Sequence, residues 1–250
     1  LSAEGLGSLT TAVVRALTTA QVEKLAVGQL NLLSSDQVQA LSSTQVQALT
    51  TAQLQEVNSD VVVNLNSAQM RVLTSSQLNA LTSAALQAVG TADVQALTTA
   101  QVNAMDVGQL NALTTEQIQV LSTAQVRSLT SSQLNNLGSE MVQSLVSLQL
   151  RAISSSQLQA MDVGQLNLLT SDQVLSLTTG QVQALNTSQV SQLASAQLTS
   201  FDSSQVKALT TAQIQALTVD QVPHLLTAQV AALLDTQVAA LQTADLVTLT

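Results

Sequence analysis

An eight-residue repeat runs through the whole of this chain. It is plain in the stretch LSSTQVQALTTAQLQEV at 41–57, where Leu41, Leu49 and Val57 are eight residues apart. Counted from Leu1, the register gives 31 complete octads without an insertion or deletion. Octad position 6 is always Leu, Val, Ile or Met, and position 5 is Gln in 24 of the 31 octads. The fold must therefore return the same two apolar positions, 1 and 6, to its core every eight residues.

A period of eight fits neither of the long regular structures. Positions 1 and 6 are an odd number of residues apart, so a β-strand would place them on opposite faces. A β-solenoid also needs frequent turn residues, whereas the chain has eight Gly and one Pro. In one continuous α-helix the apolar stripe would advance by about 80° per octad and wind around the helix. Both structures are therefore excluded.

Each octad is instead interpreted as a short helix with its own start signal. Ser42 and Gln45 have the spacing of a capping box, in which each side chain accepts a hydrogen bond from the backbone amide of the other residue. Leu41 and Val46 occupy the two positions of a hydrophobic staple. The consensus Leu-(Ser/Thr)-x-x-Gln-Val-x-Ala therefore repeats a helix start, and each start ends the helix before it.

Helices this short need neighbours, because isolated helices below about 12 residues are marginal in water. The sequence therefore predicts an all-α solenoid, a superhelix of about 31 very short capped helices with one helix per eight-residue repeat. The number of octads per superhelical turn stays open, since the choice of Val or Leu at position 6 follows no single period. The predicted core consists of positions 6 and 1, with the following representatives: Val46, Leu54, Val102, Val182, Leu41, Leu49 and Leu97.

The array is predicted to be a single continuous domain over residues 1–250. No linker, charge block or change of composition interrupts it. Natural repeat arrays have polar capping repeats, and neither end shows one, so we expect a fragment of a longer array. Leu226, Leu234 and Gln242 replace the usual N-cap residue, and less defined helix starts are expected there.

Composition excludes several classes of function. The formal net charge is −9, Lys and Arg number six in all, and Phe201 is the only aromatic residue. No basic patch can follow a phosphate backbone and no rings can stack on bases, so nucleic acid is excluded as a partner. No apolar run approaches the ~18 residues of a membrane span, so no membrane insertion is expected. The chain has no Cys, which excludes disulfides and thiolate metal sites.

The chain has few of the residue types that catalysis needs. His224 is the only histidine and follows Pro223, the only proline. A catalytic histidine needs a nucleophile and an orienting carboxylate within reach, and no such set is indicated. Pro223 lacks an amide hydrogen and is expected to distort its short helix. We therefore predict that the chain is not an enzyme and that it has no catalytic, cofactor-binding or metal site and no cofactor.

Three surface patterns leave alternatives open. The Gln column serves as helix caps or, in addition, forms an amide ladder along the stack; capping explains the spacing by itself. The motif MDVGQLN at 105–111 and 161–167 marks either a lateral contact, with Gly allowing close backbone approach, or a recent duplication, which we favour. Rows of hydroxyls at position 3 raise ice binding, although Ser and Thr are mixed there.

Octads such as LSSTQVQA at 41–48 resemble the long Leu-Thr-x-x-Gln-Val-x-Ala tracts of very large, repetitive bacterial secreted or surface proteins. The likeness covers the whole chain. It implies an extracellular or cell-surface location and a structural or adhesive role.

These features together predict a non-enzymatic structural repeat protein that forms a rod or a filament- or sheath-like extracellular assembly. Self-association, end to end or side by side, is expected because a polar surface with few charges offers little repulsion between copies. The alternative is an adhesin-like binding module that presents Ser, Thr and Gln rows to a surface glycan, a protein partner or ice.

Overall fold

The computed structural model describes residues 9–241, and no strand occurs among them. Each complete octad between Leu9 and Ala240 contains one helical segment, and the α-helices are four to six residues long. The prediction of an all-α solenoid with one short helix per octad is confirmed for these residues. The helices, in chain order, are α1 Thr11–Ala16, α2 Thr19–Glu23, α3 Val27–Leu30, α4 Ser35–Ala40, α5 Ser43–Gln47, α6 Thr51–Glu56, α7 Ser59–Val63, α8 Ser67–Val72, α9 Ser75–Ala80, α10 Ser83–Ala88, α11 Thr91–Ala96, α12 Thr99–Ala104, α13 Val107–Ala112, α14 Thr115–Gln119, α15 Thr123–Ser128, α16 Ser131–Asn135, α17 Ser139–Ser144, α18 Ser147–Ala152, α19 Ser155–Ala160, α20 Val163–Leu166, α21 Ser171–Ser176, α22 Thr179–Ala184, α23 Thr187–Gln192, α24 Ser195–Thr199, α25 Ser203–Ala208, α26 Thr211–Gln215, the 3₁₀ helix η1 Val222–His224, α27 Thr227–Val230 and α28 Asp235–Val238.

The breaks between helices lie at octad positions 1 and 2, where the backbone is extended. Leu41 has φ −59° and ψ 130°, and Ser42 has φ −71° and ψ 160°. The Ser42 amide donates to Gln45 Oε1 at 2.8 Å, and the Gln45 amide donates to Ser42 Oγ at 3.3 Å. This is the predicted capping box. It satisfies two of the amides that every helix start leaves without a partner, which is why so short a helix can begin there.

Helices pack on the helices three octads away. The described residues fall into two compact units that divide after Ser128. In the first unit α1 packs on α4, α5 on α8 and α12 on α15; in the second, α18 packs on α21 and α22 on α25. One turn of the coil within each unit therefore contains three octads, or 24 residues. The sequence had left this number open, and the prediction of one continuous array across both units stays a prediction.

The core has the predicted composition. Position 6 is buried in every octad from Val14 to Val222, and position 1 is buried from Leu25 to Leu217. Each buried side chain contributes roughly 1.5–3 kcal/mol of hydrophobic stabilisation, so the stack is held mainly by these two columns. The prediction is wrong at the last described octads, where Val230 is half-buried and Val238 is exposed, because no described octad packs over them.

The octads with an apolar residue at the N-cap keep the register. Helices α27 and α28 begin directly after Leu226 and Leu234, as elsewhere in the repeat. Leu cannot supply a cap, but the amides of Leu226 and Leu234 still donate to the glutamine three residues later, at 2.9 and 2.8 Å. These helices therefore begin in register with one of the two capping-box bonds, and each is four residues long. Gln242 lies outside the described residues.

Proline distorts its octad as predicted. The segment Val222–His224 is a 3₁₀ helix with Pro223 in its first turn, where the other described octads form α-helices. Thr218 and Gln221 nevertheless retain their capping box, and Gln221 still bonds to the preceding turn through Val190 and Leu193. The distortion is therefore confined to the end of one octad.

Candidate functional surfaces

The position-5 glutamine joins successive turns of the coil. In Gln45, Oε1 accepts from the Ser42 amide, while Nε2 donates to the carbonyls of Val14 and Leu17 at 2.8 and 2.7 Å. Those carbonyls lie at the end of α1, where the Val14 carbonyl also accepts from the Leu17 amide at 3.2 Å. One side chain therefore caps the start of its own helix and the end of a helix 28–31 residues earlier. We call this arrangement the Gln bridge.

The Gln bridge recurs throughout both units, with acceptors 31 and 28 residues before the glutamine. It is made in the first unit by Gln53, Gln69, Gln77, Gln101, Gln117 and Gln125. It is made in the second unit by Gln173, Gln181, Gln189, Gln205, Gln213, Gln221, Gln229 and Gln237. The acceptors are main-chain carbonyls and not neighbouring glutamine amides. The column therefore caps helices and also joins successive turns, but it does not form a ladder of side-chain amides.

Because these glutamines are buried, they are not a binding surface. Gln45 is only 2% exposed and has bonds on both ends of its amide. The column is a structural device of the interior. Polar rows available to a ligand must therefore come from other octad positions.

A second device, at octad position 7, was missed by sequence reasoning. Asn79 Nδ2 donates to the Ala104 carbonyl at 2.9 Å, and Asn79 Oδ1 accepts from the Asp106 amide at 3.1 Å. Asn135 makes the same pair of bonds to Ala160 and Asp162, both at 2.9 Å. An asparagine at position 7 thus caps a helix end 25 residues on and a helix start 27 residues on. We call this the Asn clamp.

The Asn clamp explains the MDVGQLN motif. Asp106 and Asp162 are the first residues after its methionine. They make no side-chain cap bond, and an asparagine accepts from their backbone amides in place of the glutamine three residues on. The glutamines of the same octads, Gln109 and Gln165, consequently have a buried Oε1 without a hydrogen-bond partner. The amide of Ala194, another position without a capping side chain, donates to Asn167 Oδ1 at 2.9 Å. The feature of the sequence that indicates an Asn clamp is an Asn 27 residues before an N-cap position that is not Ser or Thr.

The glycines of the motif are not required by packing within the chain. A Cβ added at Gly108 or Gly164 would have no other atom within 4 Å. Val107 and Val163 beside them are half-buried. The close backbone approach considered for a lateral contact is thus not made inside the described chain, and duplication of the segment remains the interpretation we favour.

The outer surface is polar, with isolated apolar side chains. Five cationic residues at position 7 are exposed: Arg15, Arg71, Arg127, Arg151 and Lys207. Leu148 is the most exposed large apolar residue that the structure describes, at 69%, and Leu175 also faces outward. These two leucines lie on packed helices, α18 and α21.

The titratable groups in the described part of the chain are dispersed along the surface. His224 is exposed. Among these residues, no group of three or more His, Asp or Glu side chains is arranged to hold a metal ion. Glu116 lies in the first turn of α14, where a hydrogen bond from its own backbone amide, followed by one from the Thr114 hydroxyl, lowers its pKa. That shift belongs to helix capping.

Two kinds of hollow occur in the structure. Each unit has a gap of about 10 Å³ in its apolar core, lined in the first by Leu30, Leu54 and Leu65 and others, which is about the size of one water molecule and too small for an organic ligand. The first unit also has an open polar groove of about 370 Å³ beside Arg15 and Asp36. This groove is large enough for a small ligand.

The length of the helices also decides whether any of them can span a membrane. Within residues 9–241, none of the helices has the length and apolar character that spanning a bilayer requires.

Comparison with known families concerns the repeat itself. A family model described as the ALTTAQ repeat matches residues 86–123 and 190–227. Over these two segments the chain is similar to the ALTTAQ repeat. The matched segments each span several octads, one in each structural unit. The expected likeness to a tandem octapeptide tract is thereby confirmed. No curated protein matches the chain.

The ALTTAQ name describes the part of the octad that builds the fold. Read from position 8, it supplies Ala, the position-1 leucine, the two hydroxyl residues of the helix start and the position-5 glutamine. In Ala96–Gln101 these residues provide the buried Leu97, the cap Thr98 and the bridging Gln101. The match therefore identifies a stacking unit and does not identify a ligand.

Proposed function

We propose that this chain is a non-enzymatic structural protein whose ALTTAQ arrays self-associate into a rod or a filament- or sheath-like extracellular assembly. The observation that supports this most is the Gln bridge, since each turn provides the acceptors on which the next turn is built. A stack held by such contacts can be lengthened without new chemistry.

The composition of the surface supports the same proposal. The polar exterior carries few charges, and Leu148 and Leu175 face outward from it. Little electrostatic repulsion keeps copies apart, and exposed leucines favour contact between them. The extracellular location rests on the resemblance to secreted and surface tracts, and immunogold labelling of intact cells of the source tests it.

The direct test is sedimentation velocity of residues 1–250 at rising protein concentration, with electron micrographs of the same samples. We expect the average mass to grow with concentration and elongated particles to appear. Salt should have little effect, because the contacts are not mainly between charges. A monomer at every concentration would contradict the proposed assembly.

The alternative function is an adhesin-like binding module, and the open groove favours it. Arg15, Asp36, Gln39 and Asn66 line this groove with donors and acceptors of the kind that hold a sugar hydroxyl. Binding of the chain to a glycan array, lost in Asp36→Ala and kept in Asp172→Ala, would support this alternative. No binding by the wild-type chain would remove it.

A further inference from the structure

The second unit exposes two large apolar side chains on neighbouring turns of the coil. Leu148 is 69% exposed on α18, and Leu175 is 45% exposed on α21, the helix that packs on α18. Described octads precede and follow both helices along the chain. The exposure of these leucines is therefore a property of the packed array and not of one of its ends.

Two opposite charges lie beside these leucines. Arg151 is in the last turn of α18, three residues after Leu148, and Asp172 is in the first turn of α21, three residues before Leu175. Residues three apart on a helix share a face, with about 5–6 Å between their Cβ atoms. All four side chains are exposed, and we call these four residues the lateral patch.

The leucine and the charge exchange places between the two octads of the lateral patch. Octad position 4 is Leu148 on one turn and Asp172 on the next, whereas position 7 is Arg151 and then Leu175. The two helices pack on each other three octads apart, so residues at the same octad position lie side by side. The leucines therefore occupy opposite corners of the patch, and the two charges occupy the other corners.

Neither charge of the lateral patch is neutralised within the chain. Arg151 Nε donates to the Ser176 carbonyl at 2.9 Å, which holds the arginine across the end of α21. Among the described residues, no carboxylate pairs with Arg151 and no cation pairs with Asp172. A half-turn about the line that joins the leucines exchanges the two charged corners. The patch is thus complementary to an identical patch.

We propose that a second copy of this chain docks side by side on the lateral patch through a two-fold axis. The axis runs along the line from Leu148 to Leu175, so each leucine meets the same leucine of the second copy. Arg151 of each copy then faces Asp172 of the other. The leucines supply the affinity, and the charges set the orientation.

This contact rests on the self-association proposed above and assigns it one lateral interface. Because a two-fold contact is closed, it pairs two arrays, and any growth beyond the pair uses other surfaces. The lateral patch is small, so the association that it supports is weak and is measured by sedimentation velocity at high protein concentration.

Charge reversal tests the orientation of the two copies. Arg151→Asp sets carboxylates against each other in a pair of identical copies, and Asp172→Arg sets guanidinium groups against each other. Each variant should associate with itself at least about tenfold more weakly than the wild type, because like charges are juxtaposed. An equimolar mixture of the two variants should recover the wild-type association, since every cation then meets a carboxylate.

The matched controls reverse charges at the same octad positions of the first unit. Arg71→Asp lies in the last turn of α8, and Asp60→Arg lies in the first turn of α7. Both controls should associate as the wild type does. Circular dichroism verifies that every variant keeps the wild-type helix content.

Single cysteines test the position of the axis, because the chain has no cysteine of its own. Leu148→Cys and Leu175→Cys should each form a disulfide between identical copies under mild oxidation, since the axis brings each position onto itself. Val63→Cys, an exposed position on α7, is the control and should give no covalent dimer on a non-reducing gel.

The outcomes separate this inference from the proposed function. If the reversed variants associate like the wild type, or their mixture does not recover association, the two-fold contact is wrong and the proposed assembly stands through another surface. The same conclusion follows if Leu148→Cys and Leu175→Cys form a disulfide only with each other. If the wild-type chain stays monomeric at every concentration, both the inference and the proposed function fail.

Discussion

At the residue scale, the position-5 glutamine both caps the start of its own helix and joins that helix to an earlier turn. Gln101 Oε1 accepts from the Thr98 amide at 2.8 Å, and Nε2 donates to the carbonyls of Met70 and Leu73, both at 2.8 Å. Only an amide has an acceptor and a donor on the same end of a side chain of this length. This explains why Gln is preferred at position 5, where Glu would suffice for the capping box alone.

Replacing that amide by a carboxylate separates the capping role from the bond between turns. Gln101→Glu keeps the acceptor for the Thr98 amide but places a negative charge against two carbonyls, at a position where the native side chain is only 5% exposed. We expect a loss of about 3 kcal/mol in the free energy of unfolding. Urea denaturation followed by circular dichroism measures it, with exposed Gln95→Glu as control. Equal stability of the two variants would show that capping is the only role.

The Asn clamp gives a second prediction at this scale. Asn79→Ala removes bonds to the Ala104 carbonyl and the Asp106 amide, and should cost about 1–2 kcal/mol in the free energy of unfolding. Gln95→Ala is the control, since Gln95 has the same octad position and is exposed; a change below about 0.5 kcal/mol is expected. A loss of unfolding free energy in Gln95→Ala as large as in Asn79→Ala would show that the Asn clamp does not stabilise the fold.

At the scale of the element, a helix of one and a half turns is stable because both of its ends are capped and one face is buried. In α12, Thr98 and Gln101 cap the start, and Leu97 and Val102 are buried on either side of the cap. The staple and the capping box therefore fall on the same residues that build the core. Local and tertiary preferences agree in every regular octad.

Burying a charge in that core should unravel the neighbouring helices. Val102→Asp places an unpaired carboxylate where the native side chain is fully buried, and we expect destabilisation above about 4 kcal/mol together with loss of helix. Val63→Asp, on an exposed position of α7, should melt like the parent. Thermal unfolding followed by circular dichroism compares them. Coincident melting curves would mean that the assigned core face is wrong.

At the scale of the whole molecule, stability depends on stacked turns. Every Gln bridge needs carbonyls 28–31 residues earlier, so a single turn of 24 residues cannot make one. A peptide of residues 97–120 contains three complete octads and the capping boxes at Thr98 and Thr114. We expect it to show no helix by circular dichroism at 25 °C, while the 250-residue chain is mostly helical, because short helices are marginal alone. A helical peptide would mean that capping alone suffices.

The sequence by itself determined the unit, its secondary structure and its core. An odd spacing of the apolar columns excludes strands, and the capping box at Ser42 and Gln45 sets the helix start, since both are properties of neighbouring residues along the chain. The same local logic placed the distortion at Pro223. The expectation that nucleic acid is not a partner rests on composition alone and stays a prediction.

Only the tertiary structure decided how the octads stack. Three octads per turn, the Gln bridge and the Asn clamp between Asn79 and Asp106 all join residues about 24–31 positions apart. A repeat in which all octads are nearly equal carries no information on which of them meet, because every choice of partner buries the same residue types. The choice depends on the angle between successive short helices, and backbone geometry at positions 1 and 2, not residue type, sets that angle.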